Sequence, residues 1–444
     1  MASTYIQIEQ SPQLKGEVGL VGATNAVLVI MASLLLTSGK SRLTNVPRSA
    51  DILHMVKLLK ELGVQVTFIT EEHLLEIDTT GLNKWTVSAV IMKKMRASIL
   101  VMGSLLSRFG CCDVALPGGC VIGKRPIDYH LKNFEKMGVT IDINGDFLRA
   151  RVPEKLIGQR LVLAYPSVGA TENLVMLATL ACGTTKIINA ALEPEVLDFI
   201  TVLKKMGAII EIQPPATIVV EGVDNLAPIE HAIMMDRLEA GSLLLATAAT
   251  GGEIYLPQAP AYALDVLLLK LEEMGHKIIV DSTMHGVRLK ATDYPRAVSF
   301  KTGPYPNFPT DLQAPMMVLQ CLAFGTSIIE ETVYENRLLH VRELQKMGAQ
   351  IQVNYNKAVV TSVEELYGAS VIASDIRASC ALVIAGLVAT GKTIMTGVQH
   401  WQRGYEALEK KLIGLGARMQ LKVDTQDQLG VSRTSDSLFE QTGA

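Results

Sequence analysis

The chain has 444 residues, of which 49% are hydrophobic and 19% are charged, and its formal net charge is -3. This length exceeds what one ordinary core organises, so we expect two domains or more. The near-neutral charge argues against a nucleic-acid partner and against an electrostatic membrane anchor. The longest apolar run, 26–36, is too short to span a bilayer, and residues 1–5 lack the pattern of a secretory signal. We therefore expect a cytoplasmic protein.

Six cysteines occur in the chain, and they form neither a C-x-x-C pair nor a spacing typical of zinc sites. Most of them lie in apolar runs, where cysteine behaves as a small hydrophobic side chain. We therefore expect reduced thiols, no metal and no cofactor.

Two series of glycines recur along the chain at nearly the same period. The first follows Met or Leu, with a charged residue before that in all copies but the last, and comprises Gly63, Gly138, Gly207, Gly275, Gly348 and Gly416. The second comprises Gly39, Gly110, Gly183, Gly251, Gly325 and Gly391. Two independent markers in step indicate six repeats of roughly 70 residues each.

The sequence pattern of each repeat predicts two helices that differ in the distribution of their apolar residues. The first is apolar on all sides, which is typical of a buried helix, and is predicted at 26–36, 99–109, 174–181, 242–249, 315–324 and 379–389. The second is amphipathic and ends at the first glycine series, where Gly can cap the helix C-terminus. Short β-branched or alternating stretches follow at 64–69, 139–143, 209–212, 277–280 and 350–353. The predicted unit is helix, strand, helix, strands, with sheets outside and apolar helices inside.

Polar residues stand at the starts of five inner helices, at 24–25, 167–172, 236–239, 310–311 and 375–377. The spacing of Asp236 and Glu239 predicts a capping box. If six inner helices divide into two lobes of three, their N-termini can converge on the gap between the lobes. Helix N-termini attract anions, so this gap is a candidate anion site. The alternative is that these residues only cap helices.

The segment 116–130 reads Leu-Pro-Gly-Gly-Cys-Val-Ile-Gly-Lys-Arg-Pro-Ile-Asp-Tyr-His, and its Pro and Gly residues predict a mobile loop. The loop carries the thiol of Cys120 close to Lys124 and Arg125. Fixed positive charge lowers the pKa of a thiol, and a guanidinium can grip a phosphate or carboxylate with two hydrogen bonds. The alternative is a surface turn with an incidental cysteine. After Lys422 the chain becomes polar and aperiodic, so we expect 425–444 to be a disordered tail.

In these motifs the sequence resembles the UDP-N-acetylglucosamine 1-carboxyvinyltransferases, a family of enolpyruvyl transferases. The resemblance covers about residues 14–422 and rests on 116–128 together with Met95-Arg-Ala-Ser98, Phe308-Pro-Thr-Asp-Leu-Gln313, Tyr334-Glu-Asn-Arg337, Asp375-Ile-Arg-Ala-Ser379 and Arg403-Gly-Tyr405. It implies an α/β fold, a two-lobed inside-out α/β barrel with three repeats in each lobe. By analogy the first lobe is 21–235 and carries the Cys120 loop, and the second joins 1–20 to 236–424.

The resemblance also implies a reaction and the residues that perform it. The family transfers the enolpyruvyl group of phosphoenolpyruvate to the 3′-hydroxyl of UDP-N-acetylglucosamine and releases phosphate, the first committed step of peptidoglycan synthesis. It places the acid at Cys120, which implies alkylation by fosfomycin, and the base or hydroxyl-orienting group at Asp311. The implied phosphoenolpyruvate contacts are Thr24, Asn25, Arg125, Arg337, Arg377 and Arg403. The implied sugar-nucleotide contacts are Asn25, Arg96, Arg125, Pro126, Ile127, Asp128, Tyr129, Ser167, Val168, Asp311 and Val333.

Alternatives stay open for several of these residues. Asp311 can instead be a helix N-cap, and Arg377 can simply pair with Asp375. A general acid must also hold its proton, whereas Lys124 and Arg125 favour the thiolate of Cys120. Bound phosphoenolpyruvate, itself an anion, would raise the pKa of that thiol again.

The sequence departs from the family at two lysines, which are replaced by Thr24 and Tyr165. Threonine supplies no charge to an anion site, although Lys124 could compensate. The alternative function is therefore a catalytically weak or inactive paralogue that binds UDP-N-acetylglucosamine. The shikimate-pathway enolpyruvyl transferases share the architecture but lack the loop with Cys120. The oligomeric state is not indicated by the sequence.

Overall fold

The computed structural model describes residues 4–92, 95–116 and 127–423, so the expected tail lies outside the described residues. These residues form twenty-four β-strands, fourteen α-helices and five short 3₁₀ helices. The strands are β1 (Thr4–Glu9), β2 (Lys15–Glu17), β3 (Lys40–Thr44), β4 (Gln65–Ile69), β5 (Leu74–Asp78), β6 (Thr86–Val87), β7 (Cys111–Ala115), β8 (Thr140–Asn144), β9 (Phe147–Arg151), β10 (Arg160–Val162), β11 (Thr184–Ile188), β12 (Ile209–Gln213), β13 (Thr217–Glu221), β14 (Glu230–Ala232), β15 (Glu253–Pro260), β16 (Lys277–Val280), β17 (His285–Lys290), β18 (Phe300–Lys301), β19 (Thr326–Glu330), β20 (Gln350–Asn354), β21 (Lys357–Thr361), β22 (Ser370–Ile372), β23 (Lys392–Thr396) and β24 (Arg418–Val423).

The α-helices are α1 (Thr24–Ser33), α2 (Ala50–Glu61), α3 (Ala89–Met92), α4 (Val101–Phe109), α5 (Asp128–Lys136), α6 (Val168–Ala178), α7 (Pro194–Met206), α8 (Arg237–Ala249), α9 (Asp265–Glu273), α10 (Gln313–Leu322), α11 (Val341–Lys346), α12 (Ile376–Val388), α13 (Val398–Gly404) and α14 (Leu408–Gly414). The 3₁₀ helices are Leu34–Leu36, Thr70–Glu72, Arg96–Leu100, Ala261–Ala263 and Thr310–Leu312.

The strands form six four-stranded sheets that share one internal order. In each sheet a short edge strand runs parallel to its neighbour, and the other two pairings are antiparallel. The sheets are β14-β3-β5-β4, β6-β7-β9-β8, β10-β11-β13-β12, β2-β15-β17-β16, β18-β19-β21-β20 and β22-β23-β1-β24. The six predicted repeats are therefore confirmed as six copies of one sheet.

Strands that are distant in sequence complete three of these sheets. β14 supplies the edge of the sheet that contains β3, while β2 and β1 from the N-terminal segment complete two sheets built mainly from the C-terminal half. The described chain consequently passes between two groups of three sheets at only two places. These two crossing segments lie side by side, with a bridge between Gly22 and Met235 and a 2.9 Å hydrogen bond from Asp236 N to the Val21 carbonyl.

Each group of three sheets surrounds its own hydrophobic core, and we call the two groups the first and second lobes. The core of the first lobe runs from Ala23 to Ile233, whereas that of the second combines Ile6, Ile8, Leu14 and Leu20 with residues from Leu238 onward. The inner helices are α1, α4 and α6 in the first lobe and α8, α10 and α12 in the second. Their residues are almost all buried, as their all-round apolar composition predicts.

Both glycine series mark positions where the backbone is left-handed. All twelve glycines have φ between +66° and +135°, a region that glycine enters without the steric cost of a Cβ. The first series ends the amphipathic helices α2, α5, α7, α9, α11 and α14, as expected of C-caps.

The predicted cap of α1 and the predicted capping box of α8 are wrong. The N-cap of α1 is Ala23 rather than Thr24 or Asn25. Its side chain makes no capping hydrogen bond. Asp236 does cap α8, but Glu239 does not complete a capping box. Its carboxylate instead accepts the N–H of Val21 at 3.0 Å and the ammonium of Lys411 at 2.7 Å. Glu239 is thus used to hold a crossing segment rather than its own helix end.

None of the described helices combines the length and apolarity that a membrane crossing needs.

Candidate active site

A cavity lies between the lobes, at the N-terminal ends of inner helices α1, α8 and α12. Four of the predicted site residues line it, namely Thr24, Asn25, Arg377 and Arg403. Three carboxylates that were not predicted also line it, namely Asp51, Glu195 and Asp236. The first lobe therefore contributes only negative charge to the cavity, whereas the second contributes both arginines and Asp236.

Arg403 and Asp51 form an ion pair across the cavity. Nε of Arg403 lies 2.9 Å from Oδ1 of Asp51, and Nη2 lies 3.3 Å from Oδ2. Asp51 is in the first turn of α2 in the first lobe, whereas Arg403 is in α13 of the second lobe. A second pair, Arg237 with Glu195 at 2.9 Å, also joins the lobes. Bidentate pairs of this kind fix the plane of the guanidinium as well as its position.

Asp311 lies between two guanidiniums of the second lobe. Its Oδ1 is 2.7 Å from Nη2 of Arg337, and its Oδ2 is 2.9 Å from Nη2 of Arg377. Burial alone would raise the pKa of Asp311, but Arg377 and Arg337 outweigh burial and hold the pKa well below its usual range. Asp311 is therefore a carboxylate that accepts charged hydrogen bonds.

Two alternative roles are wrong, that of Asp311 as a helix N-cap and that of Arg377 as a partner of the Asp375 side chain. The N-cap of the 3₁₀ helix Thr310–Leu312 is Pro309, without a side-chain cap bond, so Asp311 is not a cap. Asp375 accepts the backbone N–H groups of Arg377 and Ala378 and caps α12. The guanidinium of Arg377 is directed instead to Asp311 and to the hydroxyl of Tyr405, which lies 3.1 Å from Nη1.

A hydrogen-bonded chain connects Arg337 to the turn at Val333. Nη1 of Arg337 donates to Oγ1 of Thr310 at 3.1 Å, and that hydroxyl donates to Glu331 at 2.9 Å. The other oxygen of Glu331 accepts the N–H groups of Val333 and Tyr334 at 2.8 and 3.2 Å. Glu331 thereby fixes the turn that contains Val333, a predicted sugar-nucleotide contact.

In the first lobe, Arg96 and Asp128 belong to one electrostatic neighbourhood around His130. Burial, and after it the charge of Arg96, lower the pKa of His130 to about 4, and Asp128 opposes the shift. Ile127, Asp128 and Tyr129 lie at the start of α5, next to this neighbourhood. The predicted contacts on α5 and at Arg96 are therefore brought together.

The start of α6 lies opposite the turn at Val333. Ser167 caps α6 by accepting the N–H of Ala170 at 3.4 Å, and Val168 is the first helical residue. Burial raises the pKa of Tyr165 to about 12, with contributions from Tyr334, Glu193, Glu331 and Tyr129. Tyr334 and Glu331 belong to the second lobe. Their effect on Tyr165 shows that the segment just before α6 lies near that lobe.

Three predicted residues, Cys120, Arg125 and Pro126, lie outside the described residues, as does Lys124. Among the residues that the structure does describe, no group of three or more His, Cys, Asp or Glu side chains is arranged to hold a metal ion.

Asp51 and Glu195 were missed although the sequence contained a signal for both. Asp51 shares the apolar stripe of α2 with Met55 and Leu58, and Glu195 shares that of α7 with Phe199 and Val202. A carboxylate on a buried stripe must be paired, so these positions predict partners even where the partners are unknown.

Comparison with known proteins gives consistent matches. A family model described as EPSP synthase (3-phosphoshikimate 1-carboxyvinyltransferase) matches residues 8–412. The UDP-N-acetylglucosamine 1-carboxyvinyltransferase of Saccharophagus degradans is 45% identical over 418 residues, covering 93% of this chain and 98% of that protein. The protein of the same name from Cellvibrio japonicus is 44% identical over 413 residues, with the same coverage.

Two solved structures share the fold. The enolpyruvyl transferase NikO from Streptomyces tendae superposes with a TM-score of 0.86 at 22% identity, covering 95% of this chain and 100% of that one. EPSP synthase from Acinetobacter baumannii superposes with a TM-score of 0.76 at 14% identity and the same coverage. The predicted two-lobed α/β fold is confirmed.

Proposed function

This chain belongs to the EPSP synthase family and, within it, to the UDP-N-acetylglucosamine 1-carboxyvinyltransferases, and we propose that it transfers the enolpyruvyl group of phosphoenolpyruvate to the 3′-hydroxyl of UDP-N-acetylglucosamine with release of phosphate. The observation that supports the proposal is the interlobe cavity. Arg377 and Arg403 of the second lobe line it together with Thr24, Asn25 and Asp51 of the first. The reaction would place the protein in the cytoplasm at the first committed step of peptidoglycan synthesis, which serves cell shape and division.

The arginines suit the two anionic groups of phosphoenolpyruvate. A guanidinium matches both a phosphate and a carboxylate with parallel hydrogen bonds. Arg403 is held by Asp51, whereas Arg337 and Arg377 are held by Asp311, so all three are oriented before substrate arrives. Such preorganisation reduces the cost of arranging charge in the transition state. Arg125 would add a fourth cation.

Asp311 is the proposed acceptor for the 3′-hydroxyl. While two guanidiniums contact it, its pKa stays too low for it to be a strong base. The phosphate and carboxylate of phosphoenolpyruvate compete for the same guanidiniums. As these anionic groups share the charge of Arg337 and Arg377, the pKa of Asp311 rises and the carboxylate can accept the hydroxyl proton. Proton transfer to Asp311 would thus follow the binding of phosphoenolpyruvate, with Cys120 donating a proton to the methylene carbon as the 3′-oxygen bonds to the neighbouring carbon. Loss of phosphate and of one proton from the resulting methyl group would then restore the double bond.

The sugar nucleotide would bind mainly to the first lobe. The N-terminus of α6, capped by Ser167 and followed by Val168, offers backbone N–H groups and a positive helix end to a diphosphate. Arg96 with residues 125–129 would hold the rest of the nucleotide, and Asn25 and Val333 would contact the sugar. Binding on the first lobe with Asp311 on the second requires the lobes to meet around the substrate.

The experiment is phosphate release from phosphoenolpyruvate with UDP-N-acetylglucosamine or shikimate 3-phosphate as acceptor. We expect release with the first acceptor and none with the second. Release with shikimate 3-phosphate alone would overturn the proposed acceptor.

A Thr24→Lys variant decides between an active and a weak or inactive enzyme. Thr24 is 9% exposed, its Oγ1 is 3.5 Å from Oγ of Ser49, and it lines the cavity beside Asp51. An added ammonium should raise the catalytic efficiency for phosphoenolpyruvate about tenfold. Activity only in the variant would support the alternative of an inactive paralogue. Thr201→Lys, on the exposed face of α7, is the matched control.

A further inference from the structure

The buried hydroxyl of Tyr405 connects an inner helix to a cavity arginine. Tyr405 directly follows α13 and is 4% exposed. Its hydroxyl lies 3.1 Å from Nη1 of Arg377 and 3.1 Å from Oγ of Ser242 in α8. Arg377 lines the cavity, so one end of this connection reaches the site.

The direction of the hydrogen bond between Arg377 and Tyr405 is fixed. A guanidinium only donates, so the oxygen of Tyr405 accepts from Arg377. The Oγ of Ser242 lies 2.7 Å from the carbonyl of Leu238, which only accepts, so the single hydroxyl hydrogen of Ser242 is used there. Tyr405 can then give its own hydrogen to Ser242 or to the neighbouring thiol of Cys380. Burial raises the pKa of Tyr405, which keeps that hydrogen in place.

Arg377 is consequently held on two of its nitrogens. Nη2 contacts Asp311 at 2.9 Å, and Nη1 contacts Tyr405 at 3.1 Å. Two acceptors on different nitrogens define the plane of a guanidinium, whereas one acceptor leaves it free to rotate. We propose that Tyr405 is a positioning residue that sets the orientation of Arg377 toward phosphoenolpyruvate, an inference that rests on the proposed function.

The same segment also carries the contact between the lobes. Tyr405 stands two residues after Arg403, which pairs with Asp51 of the first lobe. Gly404 between them packs so closely on α12 that an added Cβ would lie 2.2 Å from Cγ2 of Ile376. When the lobes meet through Arg403, the segment that makes this contact also holds the hydroxyl against Arg377. Tyr405 thereby couples lobe contact to the geometry of the anion site.

The test is Tyr405→Phe, which removes the hydroxyl and keeps the ring that packs 5.2 Å from Trp401. We expect catalytic efficiency for phosphoenolpyruvate to fall tenfold or more, with the KM for UDP-N-acetylglucosamine within twofold of native. In an Arg377→Lys background the same change should add less than twofold, because the guanidinium it positions is gone. Tyr367→Phe, an exposed tyrosine bonded to Glu365, is the matched control and should leave the kinetics unchanged.

Ser242→Ala is the second variant, and it keeps the test valid if Tyr405→Phe does not fold. It removes one hydrogen-bond partner of the Tyr405 hydroxyl and should raise the KM for phosphoenolpyruvate two- to fivefold. Native kinetics in a folded Tyr405→Phe variant, or in Ser242→Ala if the first does not fold, would show that Tyr405 only fills the core. No turnover by the unmodified chain would instead overturn the proposed function, so one assay distinguishes the two failures.

Discussion

The Nε atom of Arg403 lies 2.9 Å from Oδ1 of Asp51, and the two residues belong to different lobes. Asp51 is on the buried stripe of α2 and is 8% exposed, and a buried carboxylate is costly without a partner. Arg403 lines the cavity and is proposed to hold phosphoenolpyruvate. One ion pair therefore joins the lobes and orients a substrate-binding group.

Replacing Asp51 by Asn should weaken phosphoenolpyruvate binding. The guanidinium of Arg403 would lose a bidentate charged partner, an interaction for which about 1.5–3 kcal/mol is typical. We expect the catalytic efficiency for phosphoenolpyruvate to fall about tenfold to a hundredfold, with the KM for UDP-N-acetylglucosamine unchanged. Steady-state kinetics with each substrate varied in turn measures both values.

Glu406→Gln is the control for this prediction. Glu406 also joins the lobes, because it accepts the backbone N–H of Arg48 at 2.9 Å, but it does not line the cavity. Equal losses in both variants would show that Asp51 acts through general lobe contact and not through Arg403.

Asp311→Asn should separate catalysis from binding. The amide cannot take the hydroxyl proton, so kcat should fall about a hundredfold or more. The amide oxygen can still accept a hydrogen bond from Arg337 or Arg377, so the KM for phosphoenolpyruvate should change far less than kcat. Asp281→Asn, in the same lobe and bonded to Tyr255, serves as the control. A kcat near the native value would exclude Asp311 as the acceptor.

Glu239 should make stability depend on pH. Burial raises its pKa from 4.5 to about 7, although the ammonium of Lys411 opposes the shift. A raised carboxyl pKa means that the folded state binds the proton more tightly, so this contribution is complete below about pH 4.5 and is lost by about pH 7. The free energy of unfolding, relative to a Glu239→Gln variant, should fall by about 3 kcal/mol across that interval.

Chemical denaturation at a series of pH values measures this difference. Glu9→Gln is the control, because Glu9 is exposed on β1 and lies 3.8 Å from Lys392. Exposed pairs contribute little, so its difference curve should stay within about 1 kcal/mol. A flat curve for Glu239→Gln would contradict the buried, proton-linked role at the crossing segments.

Fosfomycin should modify Cys120 in preference to the described cysteines. Cys112, Cys321 and Cys380 are buried, and burial raises the pKa of each thiol, that of Cys321 to about 12. Cys182 is exposed and is therefore the expected site of background alkylation. Mass spectrometry of native, Cys120→Ala and Cys182→Ser proteins should place the fosfomycin adduct on Cys120. Native protein that carries the adduct on another cysteine while Cys120 stays unmodified would refute the assignment.

The sequence predicted the repeat well because its markers have a local cause. Each marker glycine has a left-handed backbone conformation that residues with a Cβ rarely adopt. The period of the fold is therefore visible directly in the sequence. The completing strands β1, β2 and β14 have no such marker. They are three to six residues long, and nothing in so short a segment indicates which distant strand it will join.

The candidate site was predicted only in part for the same reason. The buried stripes of α2 and α7 reveal that Asp51 and Glu195 need partners. The partner of Asp51, however, lies 352 positions away, and that of Glu195 lies 42 away in the other lobe. Glu239 was misassigned because a capping box is a local pattern, whereas its real partners, Val21 and Lys411, come from distant segments.

The central claim is that this cavity joins phosphoenolpyruvate to UDP-N-acetylglucosamine. The most direct measurement is mass spectrometry of the product formed from the two substrates, with phosphate quantified in the same reaction. We expect the product to be UDP-N-acetylglucosamine that carries one enolpyruvyl group, in an amount equal to the phosphate released. Both substrates recovered unchanged from a folded protein, or phosphate released without the adduct, would contradict it.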